Sequence, residues 1–354
     1  MSQPLVSPAT GYALGAALLF GASTPAVKAL GSAAAASPFM LAGMLYLGSG
    51  LGLALLRALR DRAWQTSGVQ RHEWPWLLGA IACGGVVGPV LLMLGLAHSS
   101  ASAASLLLNL EAVFTALLAW LVWREATDRR MVLGMVLIVL GGMVLMWPDG
   151  SVTVTDWVGP LALVGACLAW AIDNNLTRQV AHADALFIAS SKGWIAGAVN
   201  VTLGLGLGAA LPIDLSALGA VLLIGFLGYG LSLWLFVLAL RGLGTARTGA
   251  YFSTAPFAGA LLAVLWLGEP AGSGFWLASA LMAAGVALHL SERHSHVHHH
   301  VPQTHSHSHR HDEHHQHTHG LAWDGTEPHT HPHVHAPLTH SHPHYPDSHH
   351  GHAH

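Results

Sequence analysis

The chain has 354 residues, 53% of them hydrophobic and only 9% charged, with a formal charge of −3 and a mean hydropathy of +0.50. An ordinary soluble domain carries about 25% charged residues, so an integral membrane protein is expected, and disorder, which goes with low hydrophobicity, is excluded for most of the chain. The small charge gives no reason to expect nucleic acid. Cys83 and Cys167, each inside an apolar run, offer neither a disulfide framework nor a CxxC site.

A bilayer core takes about 20 apolar residues per helix, and in lipid a lone segment satisfies its backbone only as a helix. No Lys or Arg occurs before Tyr12, so the first apolar segment reads as a retained helix rather than a signal peptide. Ten spans are expected, near 11–30, 38–56, 75–97, 101–122, 130–147, 158–178, 185–209, 215–239, 245–267 and 272–290. Arg57, Arg60, Arg62, Arg71, Arg124, Arg129, Arg130, Arg178, Arg241 and Arg247 all fall in alternate loops. The opposite loops carry Asp149, Asp156, Asp214 and Glu269. The positive-inside rule places the arginines, and with them both termini, in the cytoplasm of a cell with this protein in its inner membrane.

Span 4 closes Ala-Leu-Leu-Ala-Trp-Leu-Val-Trp-Arg-Glu at 116–125, and span 9 closes Ala-Leu-Leu-Ala-Val-Leu-Trp-Leu-Gly-Glu at 260–269, with six of ten positions matching at an offset of 144. Spans 1 and 6 align at an offset of 150, Phe20 with Trp170, Ser23 with Asp173 and Lys28 with Arg178. An odd number of spans per repeat makes the two halves antiparallel, as in many secondary transporters. The fold class expected is therefore an all-α polytopic membrane protein, ten transmembrane helices arranged as an inverted 5+5 repeat. Its parts are a short cytoplasmic N-terminus (1–10), two five-helix repeats (11–147 and 158–290) and a disordered cytoplasmic tail (291–354).

Phe20-Gly21 through Pro25, the apolar run closing on Glu125, and Pro256 through Gly268-Glu269 with the Gly-rich span after it resemble the drug/metabolite transporter superfamily in its EamA-type form. The resemblance covers about residues 11–290 and implies secondary transport of small metabolites, often export. Pro256 has Ala112 as its first-half counterpart, so the first half is not expected to share the second half's helix break.

Charge near the bilayer centre costs at least about 2.5–3.5 kcal/mol and marks functional candidates. Glu111 lies some ten residues into span 4, roughly 15 Å deep. It reads either as a packing residue or as a substrate or proton site, with Thr115 on its face. Asn109 is close in sequence but on another face. Asp173, Asn174 and Asn175 are consecutive and cannot all face lipid; Lys192, at a similar depth on span 7, can pair with Asp173, and Asn200 returns to the face of Lys192. That pair reads equally as structural or gating. Trp170 and Tyr251 read as cavity lining or as ordinary core. Lys28 is expected to snorkel to the outer interface, and Glu125 and Glu269 to close their spans there.

Of the 28 histidines, 24 fall in the last 61 residues, alternating with Ser, Thr, Val and Pro. Neutral imidazole suits Zn²⁺, Ni²⁺ and Cu²⁺. The expected ligands are His296, His298, His300, His305, His307, His309 and His311, then His329, His331, His333, His335, His340, His342 and His344. No cofactor is obligatory. The reading that results is not an enzyme but a secondary transporter, expected to export a small organic metabolite, with a metal-binding regulatory tail. Its expected partners are that substrate, the lipid bilayer, tail metal and a second copy of the chain. The alternative is a Ni/Co/Zn transporter or a metal-storage or sensor protein.

Overall fold

The computed structural model describes residues 8–30, 37–60, 68–123, 129–147, 154–180, 183–210, 214–243, 245–290, 294–300, 303–309, 329–335 and 338–344. Residues 1–7 and the candidates Glu125 and His311 lie outside the described residues, as do the side chains of all the tail histidines. Two units are present, Met1–Glu292 and Arg293–Ala353.

In the first unit the apolar runs form helices α1 (Pro8–Ala29), α2 (Pro38–Arg60), α3 (Arg71–Ala97), α4 (Ala101–Val122), α5 (Arg129–Met146), α6 (Val158–Arg178), α7 (Ala185–Gly206) and α8 (Leu215–Ala239). Then come α9, in the two pieces Thr245–Phe252 and Ala255–Leu267, and α10 (Ser273–Leu290). α1 begins at Pro8, inside the stretch expected to be N-terminal tail; proline at a first turn costs no hydrogen bond. The hydroxyl of Ser100 and the carboxylates of Asp184 and Asp214 cap α4, α7 and α8, accepting from Ala103, Leu186 and Ser216 backbone N–H groups at 3.2, 2.9 and 2.8 Å. The Ser216 hydroxyl and amide hold the exposed Asp214 carboxyl below its ordinary pKa.

Among the described residues seven helices are long and apolar enough to cross a membrane, by length and composition alone. α1, α6 and α10 fall outside that set. In the first two, Ser23, Thr24, Asp173 and Asn175 are buried within the bundle. α2 packs on α7, α5 on α10 and α4 on α9. α1 packs on α8 and α9; α6 packs on α3 and α4. This set of pairs is unchanged when each helix is exchanged for the one five positions along.

Four interruptions follow the same pattern. π-turns occur in α3 at Ile81–Val87 and in α8 at Phe226–Leu231. α4 breaks between Leu107 and Leu110, α9 between Phe252 and Ala255. The expectation that the first half lacks the break is therefore corrected. Asn109, at the position of Ser253 in the repeat, donates its side-chain amide to the Leu106 carbonyl at 2.9 Å. In α9 the hydroxyls of Ser253 and Thr254 donate to the Ala250 and Tyr251 carbonyls at 2.8 and 2.6 Å. Such side chains satisfy backbone that the helix ladder has released.

In the second unit the described residues form strands β1 (His294–His300), β2 (Gln303–His309), β3 (His329–His335) and β4 (Leu338–His344). β1 pairs antiparallel with β4, and β2 with β3. The residue-by-residue alternation is a strand period, and two-stranded ladders have only edges, where Pro332 and Pro343 are tolerated.

Candidate functional site

α4, α6 and α7 bring together the ionisable groups inside the first unit. Asn174 on α6 donates its amide to Glu111 Oε1 at 2.8 Å and approaches Thr115 Oγ1 at 3.4 Å. Asn175 donates to the Thr115 carbonyl and to Ala171 O, at 3.3 and 2.9 Å. Glu111 is the first acidic residue after the α4 break, so the break sets its position on the bundle. Asn174 is exposed, and Glu111 is partly buried.

At the adjacent residue of α6, Lys192 Nζ meets Asp173 Oδ1 at 2.5 Å and Thr177 Oγ1 at 2.8 Å, and the Thr177 hydroxyl donates to the same Asp173 oxygen. The two charged side chains are 16% and 12% exposed. This closed triad differs from the Glu111 pair. Protonating Asp173 breaks an ion pair, whereas Glu111 meets a neutral amide and can gain or lose a proton without breaking one.

The π-turn of α3 supplies the floor beside this triad. An extra residue in a helical turn releases carbonyls from the regular ladder. Gly84 O accepts from Trp170 Nε1 at 2.9 Å and from the Tyr46 hydroxyl at 2.8 Å, and Gly85 O accepts from Asn200 Nδ2 at 3.0 Å. A Cβ on Gly84 would sit 1.8 Å from Asp173 Oδ2, so only glycine lets α3 lie against the triad. In α8, a Cβ on Gly228 would sit 2.5 Å from Ser23 Cβ. Gly228 stands 144 residues after Gly84, and Asp173 stands 150 after Ser23, the two offsets of the repeat.

Phe20, Gly21, Thr24, Ser105, Leu108, Ala255 and Pro256 line a narrow cleft between α1, α4 and α9. The buried Ser105 hydroxyl there has no hydrogen-bond partner among the described residues. An aromatic row runs from Tyr46 through Tyr229 and Phe20 to Phe252, with ring centroids 5.6, 5.9 and 5.5 Å apart.

At one end of the unit, Glu269 crosses from the end of α9 to cap α4. Its two oxygens accept from Ala101 N at 2.7 Å and Ser102 N at 2.8 Å. Lys28 donates to the Leu96 carbonyl and to Ser99 O at 2.8 Å, holding the end of α3. Lys28 is thus a tether between helices, more than a snorkelling cation. At the other end, Asp184 accepts from Arg60 at 3.1 Å and lies 3.8 Å from Arg57, joining α2 to the start of α7.

Of the residues singled out from sequence, Glu111 with Asn174 and Asp173 with Lys192 come together; Trp170 and Asn200 adjoin them through the π-turn. Asn109 does not: it is buried in the α4 break, against Leu106 O and 3.9 Å from Met282 Sδ. Tyr251 stands on the first piece of α9, its carbonyl taken by Thr254. Sequence reasoning missed Tyr46, Thr177 and the π-turns, for which Gly84 and Gly228 at the repeat offset were the available signal. Among the described residues no group of three or more His, Cys, Asp or Glu side chains is placed to hold a metal.

The EamA-like transporter family matches residues 8–147 and again residues 157–291. An uncharacterized transporter of Methanothermobacter thermautotrophicus is 29% identical over 236 residues, 66% of this chain and 69% of that protein. A protein of known crystal structure superposes with a TM-score of 0.61 at 19% identity, over 80% of this chain and 95% of its own, a likeness of fold.

Proposed function

The chain belongs to the EamA-like transporter family, and on that premise we propose that it is a secondary transporter, acting as an exporter, of a small organic metabolite. Its ten helices cross the inner membrane as an inverted 5+5 repeat, with both termini in the cytoplasm. Two observations support the repeat: the family matches twice along the chain, and the helix pairs survive exchange of each helix with the one five along. Irregular backbone at membrane depth is tolerated only where it lines a cavity or is buried in protein, so the π-turns and breaks mark the substrate path between halves.

The observation that carries the mechanism is the Glu111–Asn174 contact at the α4 break. Glu111 carries the coupling proton, Asn174 follows its protonation state, and the Asp173–Lys192–Thr177 triad keeps α6 and α7 together while the halves rock. Trp170, Asn200 and Tyr251 contribute to the walls of the path; the tail binds divalent metal and modulates the rate. A thermal-shift screen of small metabolites on purified protein supplies the ligand. Flux of that ligand in proteoliposomes is then expected to accelerate when a pH gradient is imposed. Equal flux with and without the gradient refutes proton coupling; no ligand-driven shift and no flux for any metabolite refutes the transport reading.

A further inference from the structure

The strand register of the tail pairs its histidines across the ladders. In the β2–β3 ladder His305 stands opposite His333, His307 opposite His331 and His309 opposite His329, so every histidine of β2 has a histidine partner. The same holds for His294, His296 and His298 of β1 against His344, His342 and His340 of β4. The intervening positions of β2–β3 pair Ser306 with Pro332 and Ser308 with Thr330; in β1–β4 Val297 stands opposite Ser341, while His299 and His300 stand opposite Thr339 and Leu338. Alternate strand positions share a face, so the β2–β3 ladder sorts its histidines to one face, and β1–β4 does so apart from His299. In β2–β3 a register slip of one residue would place histidine opposite Ser, Thr, Val or Pro throughout.

We infer that the tail holds divalent metal ions in sites built across each ladder, from segments far apart in sequence, rather than within one run of alternating histidines. The inference rests on the proposal that the tail binds metal and specifies where. Directly opposed residues of an antiparallel pair have Cβ atoms about 4.5–5.5 Å apart. Residues two apart on one strand are separated by about 6.5–7 Å. An ion that takes imidazole nitrogen at about 2.0–2.1 Å is therefore bridged more readily across the ladder than along it. Two adjacent opposed pairs, His305–His333 and His307–His331, supply four nitrogen donors, a set suited to Zn²⁺, Ni²⁺ or Cu²⁺. An isolated two-stranded ladder is marginal in water, and the metal ties the strands that the backbone alone holds weakly. Binding needs neutral imidazole, so acid releases the ion.

The test uses the full chain in detergent, stripped of metal and dialysed against Zn²⁺, with bound zinc counted by elemental analysis. Three variants are compared: His305→Ala/His307→Ala/His309→Ala in β2, His329→Ala/His331→Ala/His333→Ala in β3, and all six changes together. Shared sites predict that each triple variant loses the same ions and that the six-fold variant loses no more than either. Combining the β2 triple with His294→Ala/His296→Ala/His298→Ala in β1 is expected to give additive loss, because those belong to different ladders. Additive loss between β2 and β3 overturns the inference while leaving a metal-binding tail. A chain that binds no more zinc than one truncated after Glu292 overturns metal binding by the tail itself, and the inference with it.

Discussion

Where α6 crosses α4 the contact is polar: Asn174 donates to Glu111, and Asn175 to the Thr115 carbonyl. Where α1 crosses α9, the corresponding positions are small. A Cβ on Gly21 would lie 2.3 Å from the Ala255 carbonyl oxygen and 3.1 Å from Gly259 N. Ala255 and Gly259 stand 144 residues after Glu111 and Thr115. One packing geometry is thus used twice, once held by side-chain hydrogen bonds and once by direct backbone approach. The polar version costs desolvation that the small-residue version avoids; on the proposed mechanism that cost serves proton coupling, while the α1–α9 contact carries structure.

The comparison predicts opposite signatures for substitutions on its two sides. The largest effect is expected from Gly21→Val, whose side chain meets backbone that cannot rotate away. Folded, monodisperse protein should be nearly absent on size-exclusion chromatography. Normal yield would mean that α1 and α9 separate freely, and the contrast would fail. Glu111→Gln keeps the shape and still accepts from Asn174. Its melting temperature should be unchanged, while pH-driven flux falls on the order of tenfold or more, about 1.4 kcal/mol or more on the rate-limiting barrier. Unchanged flux with unchanged pH dependence would remove Glu111 from the coupling step.

The helices were legible because lipid leaves the backbone so few choices, and the arginine pattern fixed which loops share a side. The Asp173–Lys192 pair was legible because the helices are consecutive and the depths match. Glu111 with Asn174 was not, since nothing local to span 4 says that α6 lies beside it. The π-turns leave hydropathy periodicity intact and betray themselves only through Gly84 and Gly228. Asn109 was misjudged because a polar residue near a candidate site reads as part of it, whereas its amide is spent on the backbone of the break. In the tail, composition pointed to disorder while the alternation of histidine carried the strand period.

On stability, the triad beside the polar contact gives the next effect after Gly21→Val. Removing one member of a partly buried ion pair leaves the other uncompensated, typically a loss of about 3–5 kcal/mol. With 12–16% of each side chain exposed, the lower end applies here. Asp173→Asn and Lys192→Met should each lower the melting temperature clearly. The double variant should recover much of the loss, since distant sites add and paired ones do not. If the double variant melts like wild type but transports slowly, the triad belongs to the moving machinery of the α4–α6 side; if it transports normally, the triad is structural and the functional polar set shrinks to Glu111 and Asn174.

The smallest effect concerns Glu269, which joins the two contacts by carrying the end of α9 onto the start of α4. Its oxygens accept from two successive backbone N–H groups, Ala101 and Ser102, that have no partner inside the helix. The helix dipole favours the negative charge there by about 0.3–1 kcal/mol. Glu269→Ala removes both bonds, and water at the half-buried end replaces them in part, so the expected loss is about 1–2 kcal/mol. Glu269→Gln keeps one good acceptor oxygen and loses the charge, and should fall between. The two variants, read by melting temperature and by flux, separate anchoring from gating. A stability loss graded Ala over Gln with unchanged flux makes the cap an anchor of the rigid α1–α9 side. A rise in flux for both variants makes it a latch that must release before α4 can move, and would transfer that end of α9 to the functional side of the comparison.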